Sequence, residues 1–303
     1  MFLTEYYGIQ EAVDFVNVDV DADTKVFLDP FKVARAASGD PLAHAADLTI
    51  RHYSSLLSSS LASSDPADRA RGRQMLQHLN EPRETRLGMT QVGYDGKGID
   101  KFHSGLVADA LCYELEPLLV IGVFQWLGAL PVYVKGIGFD RMSDMTTAIV
   151  RSQLIDFTER KVAQLPQFST HPNSLHEHTM KVWDMRKQEW VDRTTRLPFA
   201  DRYPILLVPK SWTGHHLEVH GERFYQRSSL TYLQLEQQRK APRHAKVSKT
   251  VLEKQYPDRY STNFKVTLAA HENGTNLFDQ FLMNLNRSLD SVEKIGQRGL
   301  AAG

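Results

Sequence analysis

The segment Gly136-Ile137-Gly138-Phe139-Asp140-Arg141-Met142-Ser143-Asp144-Met145-Thr146-Thr147 constrains this chain more than any other stretch. Before it, Leu130 to Lys135 reads as a strand. After it, Met145, Ile149, Leu154, Phe157 and Val162 recur at helical spacing to about Gln164. The segment is therefore expected at a strand-to-helix junction, with Ser143 or Asp144 placed to cap the helix. Junctions of this kind put polar side chains at the end of a sheet, where chemistry is commonly carried.

Other elements follow from the same rules. Phe15 to Val20 and Lys25 to Leu28 alternate apolar and polar residues around Asp21-Ala22-Asp23 and predict two short strands and a turn. Leu42, Ala46, Ile50, Tyr53, Leu57 and Leu61 define a helix from Pro41 with one buried face. Asp65-Pro66 starts another helix that runs to about Leu79 and stops before Pro82. Glycines at 88, 93, 96 and 98 mark an irregular loop that matches neither the dinucleotide nor the Walker fingerprint. Pro166 to His178 reads as a polar loop, Met180 to Val191 as a hairpin turning at Asp184 to Gln188, and Tyr203 to Val208 as a buried strand. Helices are expected at Ser229 to Lys240 and Lys246 to Gln255, and a last amphipathic one carries Leu277, Phe278, Phe281, Leu282 and Leu285. The expected fold is α/β, with α+β as the alternative: a mixed sheet flanked by helices, with residues 1–240 as the core domain and 241–303 as a helical C-terminal appendage.

Charge and cysteine content narrow the function classes. Lysine plus arginine equals aspartate plus glutamate, 36 each, so no global field draws the chain to nucleic acid or to an anionic membrane. Attraction to nucleic acid must then be local, and Arg239, Lys240, Arg243, Lys246 and Lys249 supply the densest basic stretch. The one cysteine, Cys112, excludes an intrachain disulfide and any zinc site built on two thiolates. No apolar run reaches the roughly 20 residues that span a bilayer, and the first residues lack the pattern of a signal peptide. A cytoplasmic location is expected.

Two readings of the central segment remain open. Asp140 and Asp144 are hard oxygen donors of the type Mg2+ or Mn2+ prefers, and an ion held there would polarise a phosphate and activate water. Alternatively, Asp144 caps a helix and Asp140 sits in a turn. Lys210, at the end of the apolar run Pro204 to Pro209, could steady a developing negative charge, and Glu84 could add a carboxylate. His216 and His220 share a face on either a helix or a strand, and His176 and His178 repeat the ambiguity, but without cysteine partners they make a poor zinc site. Asp19, Asp21, Asp23 and Asp29 lack the glycine and glutamate of a calcium loop and read as a solvated turn.

Val26-Phe27-Leu28-Asp29-Pro30, the Gly136 to Thr147 segment and Leu206-Leu207-Val208-Pro209-Lys210 together resemble an uncharacterised bacterial family associated with phage-defence gene neighbourhoods. The order of Glu84 or Glu114, then Asp140 or Asp144, then Lys210 also resembles restriction-endonuclease-type nucleases, although Val208 stands where those enzymes carry an acidic residue. The resemblance implies a role in anti-phage defence and transfers no catalytic residue. The expectation is a metal-dependent nuclease with Glu84, Asp140, Asp144 and Lys210 in the site, acting on DNA ahead of RNA. The alternative is a non-catalytic interaction or sensor subunit of a defence complex, with an ATPase or helicase as partner. Self-association is compatible with both.

Overall fold

The computed structural model of the chain describes residues 1–79, 82–89, 105, 107–171, 175–200, 203–241 and 245–301. It is α+β: helices predominate, and among the described residues the strands form two small antiparallel sheets rather than one. Backbone contacts divide it into two compact units, Met1–Glu218 and Val219–Gly303. The helix Leu230–Lys240, expected with the core domain, therefore belongs to the second unit, together with everything after residue 240.

The first unit is held by segments distant in sequence. Phe15 bridges Pro209, with Val16 N–H donating to the Val208 carbonyl and Lys210 N–H to that of Asp14, both at 2.8 Å. Strand β1, Phe27–Leu28, pairs antiparallel with the two-residue strand Thr213–Gly214. The run 205–208 is buried as expected but lies outside any strand, beyond the two-residue strand Tyr203–Pro204. Its amides go to scattered acceptors: Leu206 N–H to the Glu84 carbonyl and Leu207 N–H to the Thr158 hydroxyl. Buried amides must find partners wherever packing places them.

Asp29, Asp40 and Asp65 each accept the N–H two residues on, and each is followed by proline at the first helical position, opening helices Pro30–Ala36, Pro41–Ala62 and Pro66–Met75. The start at Asp65-Pro66 is the one expected from the sequence; Asp29, expected in a solvated turn, instead caps a helix the sequence analysis does not contain. The hairpin of β2, Leu175–Asp184, with β3, Glu189–Ala200, is longer than expected and takes in residues read as loop. The Asp184 carboxylate accepts the N–H groups of Arg186 and Lys187 at 2.8 and 3.0 Å and so shapes the turn.

Two expectations around the central segment fail. Leu130 to Lys135 is not a strand: Leu130–Tyr133 is a short helix with proline in its first turn, and all four residues are buried. A short apolar run cannot by itself distinguish a buried strand from a buried helical turn. The helix that follows is also not continuous to residue 164. It divides at Val150 into Phe139–Ile149 and Arg151–Gln164.

The second unit is helical: Gly221–Phe224, a wide turn at Tyr225–Ser229, then Leu230–Lys240, Lys249–Gln255, Arg259–Glu272 and Leu277–Ala301. The helix Arg259–Glu272, which the sequence reading did not find, opens on Asp258, whose carboxylate accepts the N–H groups of Tyr260 and Ser261. Tyr225, Leu230 and Leu252 form a small core covered by Leu233 and Val247. Phe224 packs edge-on against Phe281 with ring centroids 5.2 Å apart. Among the described residues, no helix is long and apolar enough to cross a membrane.

Candidate carboxylate site

Helix Phe139–Ile149 begins after Gly138, whose backbone is extended and which has no side chain to cap with. Neither Ser143 nor Asp144 is the cap, because both lie inside the helix and are buried. The Ser143 hydroxyl instead accepts the buried Leu28 N–H at 2.9 Å. Together with the edge-to-face contact of Phe27 and Phe139, centroids 5.9 Å apart, it ties the helix to β1. Two of the segments that carry the resemblance are thus in direct contact. The third reaches the same place through its continuation, since Asp29 N–H donates to the Trp212 carbonyl at 2.9 Å.

Asp140 occupies the first turn of this helix, where the unpaired N–H groups favour a negative charge. Its neighbour is Asp23, a carboxylate expected in a solvated turn. A Cβ built on Gly88 would lie 3.1 Å from Asp23 Oδ2 and 3.3 Å from Asp140 Oδ1, so both carboxylates line the space that the glycine leaves open. Gly88 is fixed there by its N–H bond to the Thr24 carbonyl at 3.1 Å and by the parallel bridge of Thr24 with Leu87. Its φ of +148° is a conformation that a side chain would strain, and any side chain would also collide with the acids.

Half-burial pushes the Asp140 carboxyl above its ordinary range, the Asp23 charge adds to the rise, and Arg141 partly opposes it. Like charges this close in a partly desolvated place favour uptake of a proton or a cation. Asp144 lies one turn further into the helix and is 5% exposed, so the expected Asp140–Asp144 pair is split between a half-open position and the interior. Among the described residues no group of three or more histidine, cysteine, aspartate or glutamate side chains is disposed to hold a metal ion.

The remaining candidates lie apart from one another in their bonding. Glu84 is half-buried in a turn, Arg83–Thr85, that uses its backbone carbonyl to receive Leu206. Lys210 donates its amine to the Val13 carbonyl at 2.7 Å. Of the basic stretch, Arg239 is paired with Glu236 at 2.9 Å, Lys240 and Lys246 are exposed, and Arg243 lies outside the described residues. The Lys249 amine donates to the Gln226 carbonyl, and burial, followed by the charges of Lys246 and Arg227, lowers its proton affinity.

The histidines are also accounted for separately. His215 Nδ1 lies 3.0 Å from the Lys25 carbonyl, the His216 ring packs on Phe139, and His220 receives Arg223 N–H at the start of Gly221–Phe224. His176 and His178 pack against Phe199. The early acidic residues separate too, since Asp19 and Asp21 take the Met1 amine at 3.2 and 2.9 Å.

Asp29 is the most deeply buried acid of this region, 1% exposed. Its two oxygens receive Phe31 N–H at 2.9 Å and Glu218 N–H at 2.7 Å, so one side chain both caps a helix and holds the last residue of the first unit. Burial raises its pKa to about 6 against the lowering effect of those two bonds. Asp23 and Gly88 were missed as site residues because only the tertiary contact between residues 23, 88 and 140 gives them a shared role.

The fold and this site define an α+β domain with an acidic pair at a helix N-terminus, followed by a helical unit. Residues 7–219 match a family described as a domain of unknown function, DUF8370, and the chain belongs to that family. The match ends where the first compact unit ends, and the helical unit lies beyond it. No curated protein and no solved structure matches the chain.

Proposed function

We propose that this chain is a cytoplasmic, divalent-cation-dependent nuclease whose Mg2+ or Mn2+ is held by Asp140 and Asp23, with DNA as the first substrate to test. The observation that carries the reading is that both carboxylates border the space beside Gly88, 3.1 and 3.3 Å from where a Cβ would lie, together with the raised proton affinity of Asp140. A cation between them would remove the repulsion and supply the Lewis acid that phosphodiester hydrolysis uses. In this reading Asp23 replaces the more buried Asp144 as the second ligand. Glu84 and Lys210 would have to act from outside the immediate pair. The basic residues Arg239, Lys240, Arg243, Lys246 and Lys249 would attract the phosphate backbone, and the resemblance to a family of phage-defence neighbourhoods supplies the biological setting.

The test is cleavage of plasmid, linear DNA and RNA by the purified chain in Mn2+ or Mg2+, beside Asp140→Asn and Asp23→Asn. Cleavage that falls at least about a hundredfold in either variant, with circular dichroism unchanged, supports the reading. Cleavage indifferent to both variants and to a chelator would remove it. Because Asp140 holds its proton above the ordinary carboxylate range, Mn2+ stabilisation should weaken as pH falls, sooner than for an unperturbed carboxylate.

A second reading, a non-catalytic interaction or sensor subunit, is favoured by the exposed apolar side chains Leu235, Val251, Met283 and Val292 of the second unit. It is separated from the first by thermal melts: a partner-binding module should be indifferent to Mn2+, whereas the nuclease should gain stability through Asp140.

A further inference from the structure

In the second unit, helix Leu230–Lys240 and the start of helix Leu277–Ala301 flank a cleft of about 320 Å3. Small-molecule sites begin at roughly this size. Buried Leu277 and Phe281 contribute its apolar floor. Its walls carry Arg227, Asn273, Gln280 and Asn284, with Tyr232 between them.

The hydrogen bonds already made define what the walls can still do. Asn273 Nδ2 donates to the Tyr232 hydroxyl and to the Ala269 carbonyl, both at 2.8 Å. Those two bonds fix the amide and leave its Oδ1 as an acceptor, while the Tyr232 O–H keeps its proton to donate. Gln280 and Asn284 are four residues apart on one helix, so their amides stand one above the other on one face. The one acid of the cleft, Glu236, is matched by Arg239 at 2.9 Å. Arg227 makes no hydrogen bond or ion pair among the described residues and gives the cleft an excess positive charge.

A cation fit for bidentate contact to phosphate, an array of amides that can both donate and accept, and an apolar floor with a neighbouring phenol suit one ligand chemistry. We infer that this cleft binds a nucleoside phosphate, with the phosphate on Arg227 and the base edge on the amides of Asn273, Gln280 and Asn284. A simple carboxylate would leave the amide array unused, and an apolar ligand would leave Arg227 unused. The ligand has two sources, a free mononucleotide or the terminal nucleotide of a single strand. The site stands whether or not the carboxylate pair cleaves anything.

Titration calorimetry on the full chain tests it, with adenosine monophosphate, a 5′-phosphorylated deoxyadenosine oligomer and inorganic phosphate as probes. Arg227→Glu and the double variant Asn273→Ala with Asn284→Ala replace exposed side chains and should fold. Each should weaken binding at least about tenfold. Arg287→Glu, exposed on the same helix and outside the cleft, should leave binding unchanged. Mononucleotide binding lost in the cleft variants identifies the free ligand, and binding of the oligomer alone, lost in the same variants, identifies a strand end. Absence of binding by the wild-type chain, affinity untouched by the cleft variants, or an equal loss in Arg287→Glu would overturn the inference.

Discussion

The two units of this protein are built by different means. In the first, the polar bonds that matter connect residues far apart in sequence: Leu28 to Ser143, Glu218 to Asp29, and the Tyr7 hydroxyl to the Phe199 carbonyl at 2.7 Å. In the second they connect neighbouring helices, as where the Tyr225 hydroxyl donates to the Tyr256 carbonyl at 2.7 Å or Ser229 to Asn263 at 2.8 Å. A unit of long connections must close large loops before its contacts form, and its polar side chains are fixed by many separate segments. A helical unit of short connections gains its contacts locally. The acidic pair of the first unit follows the same rule of construction, since Asp23, Gly88 and Asp140 come from three separate segments.

Four variants sharpen that comparison. Phe281→Ala removes the ring that packs on Phe224 and should destabilise the second unit by ~3–5 kcal/mol. Hydrogen exchange should rise most across residues 219–301, and a uniform rise over both units would contradict local construction. Asp29→Ala leaves the buried Phe31 N–H and the part-buried Glu218 N–H without their acceptor and uncaps a helix, at a cost of ~2–3 kcal/mol in denaturant unfolding.

The pH dependence of Asp29 gives a finer test of the same bond. Its folded pKa of about 6 lies above an unfolded value of about 4. Between those values the native state keeps the proton that the unfolded chain releases, so this group makes stability fall as pH rises through that window. The slope should be missing from the Asp29→Ala melts. Ser143→Ala strips the Leu28 amide of its acceptor and should cost ~1–3 kcal/mol, read as a lower denaturation midpoint. At the small end, Glu222→Gln breaks an exposed pair with Arg259 at 2.9 Å and should change stability by less than ~1 kcal/mol. A larger loss there would mean that the second unit relies on its surface charges.

Much of the helical frame was legible in the residues. Asp65-Pro66 announces a helix start through an oxygen that meets an orphan amide and a ring that presets φ, the apolar spacing from Leu42 to Leu61 marks the helix before it, and both helices are found there. The hairpin turn at Asp184 to Gln188 is legible from the apolar runs on either side of a polar stretch. Where the reading failed, the deciding contact was distant. Leu130–Tyr133 is a helical turn, and the run 205–208 is buried chain outside any strand. An apolar sequence is compatible with each of these until the surrounding chain chooses.

The candidate site shows the same division at the scale of single residues. Composition and spacing marked Asp140 and Asp144 as notable acids, and local geometry alone would have made one of them a cap. Tertiary packing sent Asp144 inside, turned Ser143 to the Leu28 amide, and brought Asp23 and Gly88 to Asp140. Caps and turns are settled within a few bonds of backbone, so the chain writes them plainly. The meeting of residues 23, 88 and 140 depends on where three separate segments come to rest. Burial and charge proximity, which then set the proton affinity of Asp140, exist only once they have done so.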